Sequence, residues 1–80
     1  MKARVFITLK RGILDPQGQA VLHAIEALGQ TGVKEARIGK FIELELTTTD
    51  RPAAETQLKM LCETLLANTV IEEYRFELQD

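Results

Sequence analysis

Eighty residues, with ten basic and twelve acidic side chains and a net charge of −2, leave room for one small domain. The 45% apolar fraction suits a globular core, and the mixed-sign charge excludes a disordered tail. It also disfavours a nucleic-acid or membrane-surface binder, which concentrates positive charge. No apolar run approaches the ~18 residues of a membrane span. The opening Met1–Ile7 has a superficial likeness to a signal peptide, but Lys10 and Arg11 interrupt it early, so a cytoplasmic protein is expected. The single Cys62 has no partner for an internal disulfide and no Cys or His cluster for a metal.

Arg4 to Lys10 alternates and is rich in β-branched and aromatic residues, which predicts a first strand with Val5, Ile7 and Leu9 facing the core. The strand ends at Arg11-Gly12. Asp15-Pro16 then opens a helix: Asp15 can accept from a free backbone N–H, and Pro16 has no N–H to leave unpaired. Val21, Ala24, Ile25 and Leu28 recur at helical spacing, and Gly29 offers a left-handed stop. Gly18 in the first turn costs about 1 kcal/mol relative to alanine, which points to a close approach at the helix start.

Val33 to Thr47 reads as β-structure. Ala36, Ile38, Ile42, Leu44 and Leu46 share one parity, and Glu35, Arg37, Glu43 and Glu45 share the other. A two-residue hairpin at Gly39-Lys40 would send Ile42 to the wrong face, so the parity disfavours it. A three-residue loop and one long strand bent at Gly39 both remain. The long strand would run ~50 Å at ~3.3 Å per residue, more than this chain's own helices can cover, which suggests an oligomer. Asp50-Arg51-Pro52 repeats the helix-opening pattern. Ala54, Leu58, Leu61 and Leu65 form a buried stripe that fades at Ala67-Asn68. In the last segment Tyr74, Phe76 and Leu78 face one side, and Glu73, Arg75 and Glu77 the other. The expected fold is α+β, a ferredoxin-like-related β-α-β(β)-α-β with an antiparallel sheet and two helices in a single domain, residues 1–80.

No catalytic constellation emerges. His23 lacks a partner at local spacing, and Cys62 reads as a small buried hydrophobe. Gly39-Lys40 lacks the rest of a phosphate loop, since Phe41 stands where Ser or Thr would hold magnesium. Lys40 falls on the apolar side of its strand, either covering apolar surface with its stem or meeting a partner's carboxylate. Lys10-Arg11-Gly12 followed by Asp15-Pro16-Gln17-Gly18 could cradle an anion at a helix N-terminus, although Asp15 itself can occupy that positive end. Glu43, Glu45, Glu72, Glu73 and Glu77 read as guards against edge-to-edge aggregation.

The run Leu9-Lys10-Arg11-Gly12-Ile13-Leu14-Asp15-Pro16-Gln17-Gly18 resembles the signature of the PurS family. Arg37-Ile38-Gly39-Lys40 and Leu65-Leu66-Ala67-Asn68 with Val70-Ile71-Glu72-Tyr74 extend the resemblance over nearly the whole chain. Departures are Ile13 for valine, Thr69 where proline is frequent, and Glu73 between Glu72 and Tyr74. The resemblance implies the small, non-catalytic subunit of phosphoribosylformylglycinamidine synthase in purine synthesis. In that family the subunit bridges the glutaminase PurQ and the synthetase PurL and helps ammonia pass between them. It further implies a homodimer or homotetramer, and no cofactor in this chain, with ATP and magnesium bound by PurL. The candidate partner interface is Lys10, Arg11, Gly12, Asp15, Gln17, Gly18, Arg37, Gly39, Lys40 and Asn68. Alternatives of the same architecture are an ACT-like ligand-binding module and an RNA-binding domain; few strand aromatics and the negative charge weigh against the latter.

Overall fold

The computed structural model describes all residues from Met1 to Asp80. Strand β1 (Lys2–Leu9) is followed by helix α1 (Pro16–Ala27), strand β2 (Gly39–Glu45), helix α2 (Arg51–Leu61) and strand β3 (Glu72–Gln79). The sheet order is β2-β1-β3, with β1 antiparallel to both neighbours. The fold is α+β, as the alternation implies.

The register explains the core. Val5 lies opposite Ile42 on one side and Phe76 on the other, and Ala3 opposite Leu44 and Leu78. The period of two sends these side chains to one face, where Ala54 and Leu58 of α2 and Cys62 just after it cover them. The other face stays open. There Phe6 and Phe41 pair with ring centroids 5.1 Å apart, and the Arg75 guanidinium sits 4.0 Å from the Phe6 ring centre. The expected faces of β1 and β3 are therefore those observed.

Three local expectations need correction. Leu65 is 74% exposed and does not continue the α2 stripe. Residues Cys62–Leu66 form a π turn, in which the Ala67 N–H donates to the Cys62 carbonyl at 3.1 Å. The wider turn shifts the phase of the residues after it, so Cys62 and Ala67 are buried and Leu65 turns outward. Asp50 stands at the N-cap of α2, but its carboxylate does not cap the helix. Its own N–H instead donates to Thr48 Oγ1 at 3.1 Å.

The third concerns the segment before β2. There is no loop and no hairpin at Gly39, and no 15-residue strand either. Residues 31–38 run without a turn, a bend or a ladder partner and enter β2 at Gly39. Gly39 serves close approach, since a Cβ there would overlap the Ile7 carbonyl oxygen. The connection from β1 to β2 is thus an excursion: α1 leads out, Gly29 (φ +82°) turns the chain, and residues 31–38 lead back.

This arm packs on neither the sheet nor α2, and Gly18 is its only buried helical residue. Leu28 is 78% exposed, and Val21 and Leu14 are also open to solvent. The radius of gyration is 16.0 Å, against about 12 Å for a compact chain of this length. An amphipathic helix thus exists without a surface to bury its stripe. Denaturant unfolding should separate Leu58 of α2 from Leu65 of the π turn: Leu58→Ala is expected to cost about 2–5 kcal/mol, and Leu65→Ala less than about 0.5 kcal/mol.

Candidate functional site at one end of the sheet

The end of β1, the start of α1, the start of β2 and the turn before β3 meet at one end of the sheet, and all ten candidate interface residues gather there. The Lys10 N–H donates to the Ile71 carbonyl at 2.8 Å, joining the loop after β1 to the turn that precedes β3. Asn68 holds that turn. Its side-chain Oδ1 accepts from the Val70 N–H at 3.2 Å, and its carbonyl accepts from the Ile71 and Glu72 N–H groups.

Asp15 joins the other two stretches. Its Oδ1 accepts from the Gly18 N–H at 2.8 Å, which is the expected N-cap bond, and its Oδ2 accepts from the Ile38 N–H at 2.9 Å. A Cβ at Gly18 would overlap the Ala36 carbonyl oxygen and press on the Asp15 carboxylate. The close approach that Gly18 suggested is therefore the return segment of this same chain. The Gly18 hydrogen bond, then the Ile38 one, holds the Asp15 carboxyl below the ordinary aspartate range, with the Arg37 charge adding a smaller push. The helix N-terminus is occupied by its own aspartate, and the anion cradle is not realised.

The cations find carboxylates nearby. Arg11 lies 3.4 Å from Glu35, Arg37 lies 3.9 Å from Glu73 and 4.0 Å from Glu35, and Lys40 lies 3.7 Å from Glu72. Lys40 does project from the inner face, opposite Ile7, but its carboxylate belongs to the same chain. Glu72 is more than an edge guard, because it also accepts from the Asn68 N–H at 2.7 Å. Lys10 alone among these four cations has no carboxylate within ion-pair distance. Sequence reasoning missed Glu35 and Glu72 as partners; only their charge opposite Arg37 and Lys40 could have hinted at them.

Two open grooves flank the clasp. One, of about 290 Å³, runs between the Lys10–Asp15 loop and Glu35–Arg37. The other, of about 260 Å³, lies between Gln17, Ile38, Lys40 and Glu72. Neither contains a nucleophile poised on a base. His23 is exposed on α1. Burial pushes up both the Cys62 thiol and, together with the neighbouring Glu63, the Tyr74 phenol, so both stay neutral. No three His, Cys, Asp or Glu side chains stand where they could share a metal ion.

The sequence profile of PurS, phosphoribosylformylglycinamidine (FGAM) synthase, matches residues 2–80. The chain belongs to the PurS family. It is 46% identical over 79 residues to the PurS subunit of Bacillus subtilis, covering 99% of this chain and 93% of that one. It is 49% identical over 75 residues to the PurS subunit of Synechocystis, covering 94% and 75%. A B. subtilis PurS crystal structure superposes with a TM-score of 0.86, covering 99% and 98% at 46% identity. A chain in a structure of PurLQS from Thermotoga maritima gives 0.87, covering 95% and 93% at 30% identity. Two of the stretches that resemble the PurS signature, residues 15–18 and 37–40, are thus the two halves of one clasp.

Gly18→Ala tests the clasp by its sign. Helix propensity alone would raise stability by about 1 kcal/mol, whereas the overlap with Ala36 lowers it, and a fall in melting temperature is expected. The Asp15 bonds also have a pH signature. A carboxyl whose folded pKa is depressed stabilises the fold above its unfolded pKa of ~3.9, and that contribution disappears as pH falls through the folded value. The stability difference between the wild type and Asp15→Asn should stay constant from pH 5 to 7 and shrink in acid below pH 4, as read by urea melts.

Proposed function

We propose that this chain is the small structural subunit of FGAM synthase. The family match over residues 2–80 carries the reading. The enzyme converts formylglycinamide ribonucleotide, glutamine and ATP to formylglycinamidine ribonucleotide, glutamate, ADP and phosphate. PurQ releases ammonia from glutamine, and PurL activates the amide oxygen with ATP and magnesium so that ammonia displaces phosphate. This chain contributes no reacting group and no cofactor site. It bridges the two larger proteins and helps ammonia cross between them. Ammonia that escapes to water at neutral pH is protonated and loses its nucleophilic lone pair, so a shielded transfer needs a rigid positioning element more than another catalytic residue.

The molecular surface supports self-association. The chain exposes 5911 Å², about 1,000 Å² more than a compact 9.0 kDa protein. That excess is close to the ~800 Å² that each partner contributes to a standard protein interface. The unpartnered stripe of α1 and the unladdered residues 31–38 are its natural source, so a homodimer or homotetramer completes the fold. No helix is long and apolar enough to cross a membrane, in keeping with a cytoplasmic biosynthetic enzyme. The end of the sheet that gathers Lys10, Arg11, Gly12, Asp15, Gln17, Gly18, Arg37, Gly39, Lys40 and Asn68 is the surface offered to PurL or PurQ. Lys10 and Gln17 are the side chains there best placed to reach outward, since neither forms a side-chain hydrogen bond or ion pair within the chain.

Reconstitution with PurL and PurQ tests this reading. Omitting the chain should abolish glutamine-dependent amidation while leaving turnover with added ammonium salt. The double variant Lys10→Ala/Gln17→Ala should keep its melting temperature and mass yet lower glutamine-dependent turnover. Undiminished turnover without the chain would refute the role. Light scattering should give a mass at least twice 9.0 kDa.

A further inference from the structure

We infer that the arm formed by α1 and residues 29–38 opens as a unit separate from the sheet, and that the Asp15 carboxylate is the latch that closes it. Two observations point the same way. The arm's apolar stripe packs on neither the sheet nor α2 and leaves Val21 and Leu28 exposed, so packing against the core does not hold it shut. A helix of 12 residues is marginal in water without such packing. At the arm's base, however, one side chain bonds both limbs: Oδ1 to the outgoing helix and Oδ2 to the returning segment.

Losing Asp15 removes the N-cap and the strand anchor together, so the two limbs lose order as one event. The other side-chain ties from the arm to its surroundings are the exposed ion pair of Arg11 with Glu35 and the long contact of Arg37 with Glu73, at 3.4 and 3.9 Å, beside the backbone bond from the Gln19 N–H to the Asp15 carbonyl at 3.0 Å. The Arg11 pair is exposed and holds little, and the Arg37 contact is near the limit of an ion pair. The sheet and α2 share no core residue with the arm and stay folded when it opens. The inference rests on the self-association proposed above for its consequence: a second copy that covers the stripe binds the closed arm, so arm closure and oligomer assembly are linked. Asp15 is then a positioning residue for assembly: both of its carboxylate oxygens are engaged within the chain, and it acts through the arm that it holds.

Hydrogen exchange of the full chain, read by mass spectrometry at protein concentrations where light scattering fixes the mass, tests the latch. In the wild type, amides of α1 and the Ile38 amide should exchange faster than those of the β1 ladder, and dilution should speed the arm alone. Asp15→Asn keeps one acceptor oxygen and should speed arm exchange by about tenfold; Asp15→Ala should speed it further. Both should leave the β1 and β3 amides at wild-type rates. Equal rates for arm and ladder in the wild type would overturn the inference. So would variants that leave the arm unchanged, or that release the ladder to the same extent, including through failure to fold. A chain that stays monomeric at every concentration would remove the self-association reading and its link to the arm, while the difference between Asp15→Asn and wild type would still judge the latch.

Discussion

One carboxylate settles how the long connection between β1 and β2 is held. The first turn of any helix leaves backbone N–H groups without partners, and residues 31–38 add a run of backbone with no ladder. Asp15 answers one donor from each set, Gly18 N–H and Ile38 N–H, with its two oxygens. The neighbouring residues follow from this geometry. Pro16 supplies the helical φ without adding an unpaired donor, Gly18 lets the Ala36 carbonyl come close, and Gly39 lets the strand settle beside Ile7. Four residues in two separate stretches thus serve one junction.

The remainder of the molecule shows what such a junction is for. Nine residues are buried, nearly all between the sheet and α2. That core fixes the body and leaves the arm to be ordered from its base and from outside. A chain built this way leaves part of the α1 stripe, Val21 and Leu28, open to solvent. The arrangement suits a subunit of a multi-protein enzyme, which offers exposed apolar surface beside a small fixed core.

How much of this could be read from the residues alone depended on whether the determining partner was local. Strand faces follow from alternation, so Val5 and Ile7, and Tyr74 with Phe76, lie where their parity puts them. The Asp15 cap follows from Asp-Pro and the helical stripe after it, and Gly18 carried a visible signal because glycine weakens a helix without compensation. What escaped was set at a distance or by small geometric changes. Leu65 left its stripe because of one widened turn, which no spacing rule encodes. Asp50 has the same neighbour pattern as Asp15 but lacks a returning strand, and its carboxylate does not cap. The apolar parity of Ile42, Leu44 and Leu46 holds in β2 and beyond its end, yet parity says nothing about whether a ladder partner exists, and for residues 31–38 none does within this chain.

The same distinction governs the sheet end as a surface. Counted along the sequence, Lys10, Arg11, Arg37 and Lys40 form a basic cluster that would attract an acidic partner. In three dimensions Glu35, Glu72 and Glu73 lie against three of the four. Such pairs, each open to water on at least one side, cancel the field that would steer a charged ligand over long range. A partner that docks there must therefore recognise the contour of the two grooves and the exposed backbone between them, with Lys10 as the single uncompensated charge. Recognition by shape demands a fixed shape, and at this end of the sheet it is the Asp15 junction that fixes it.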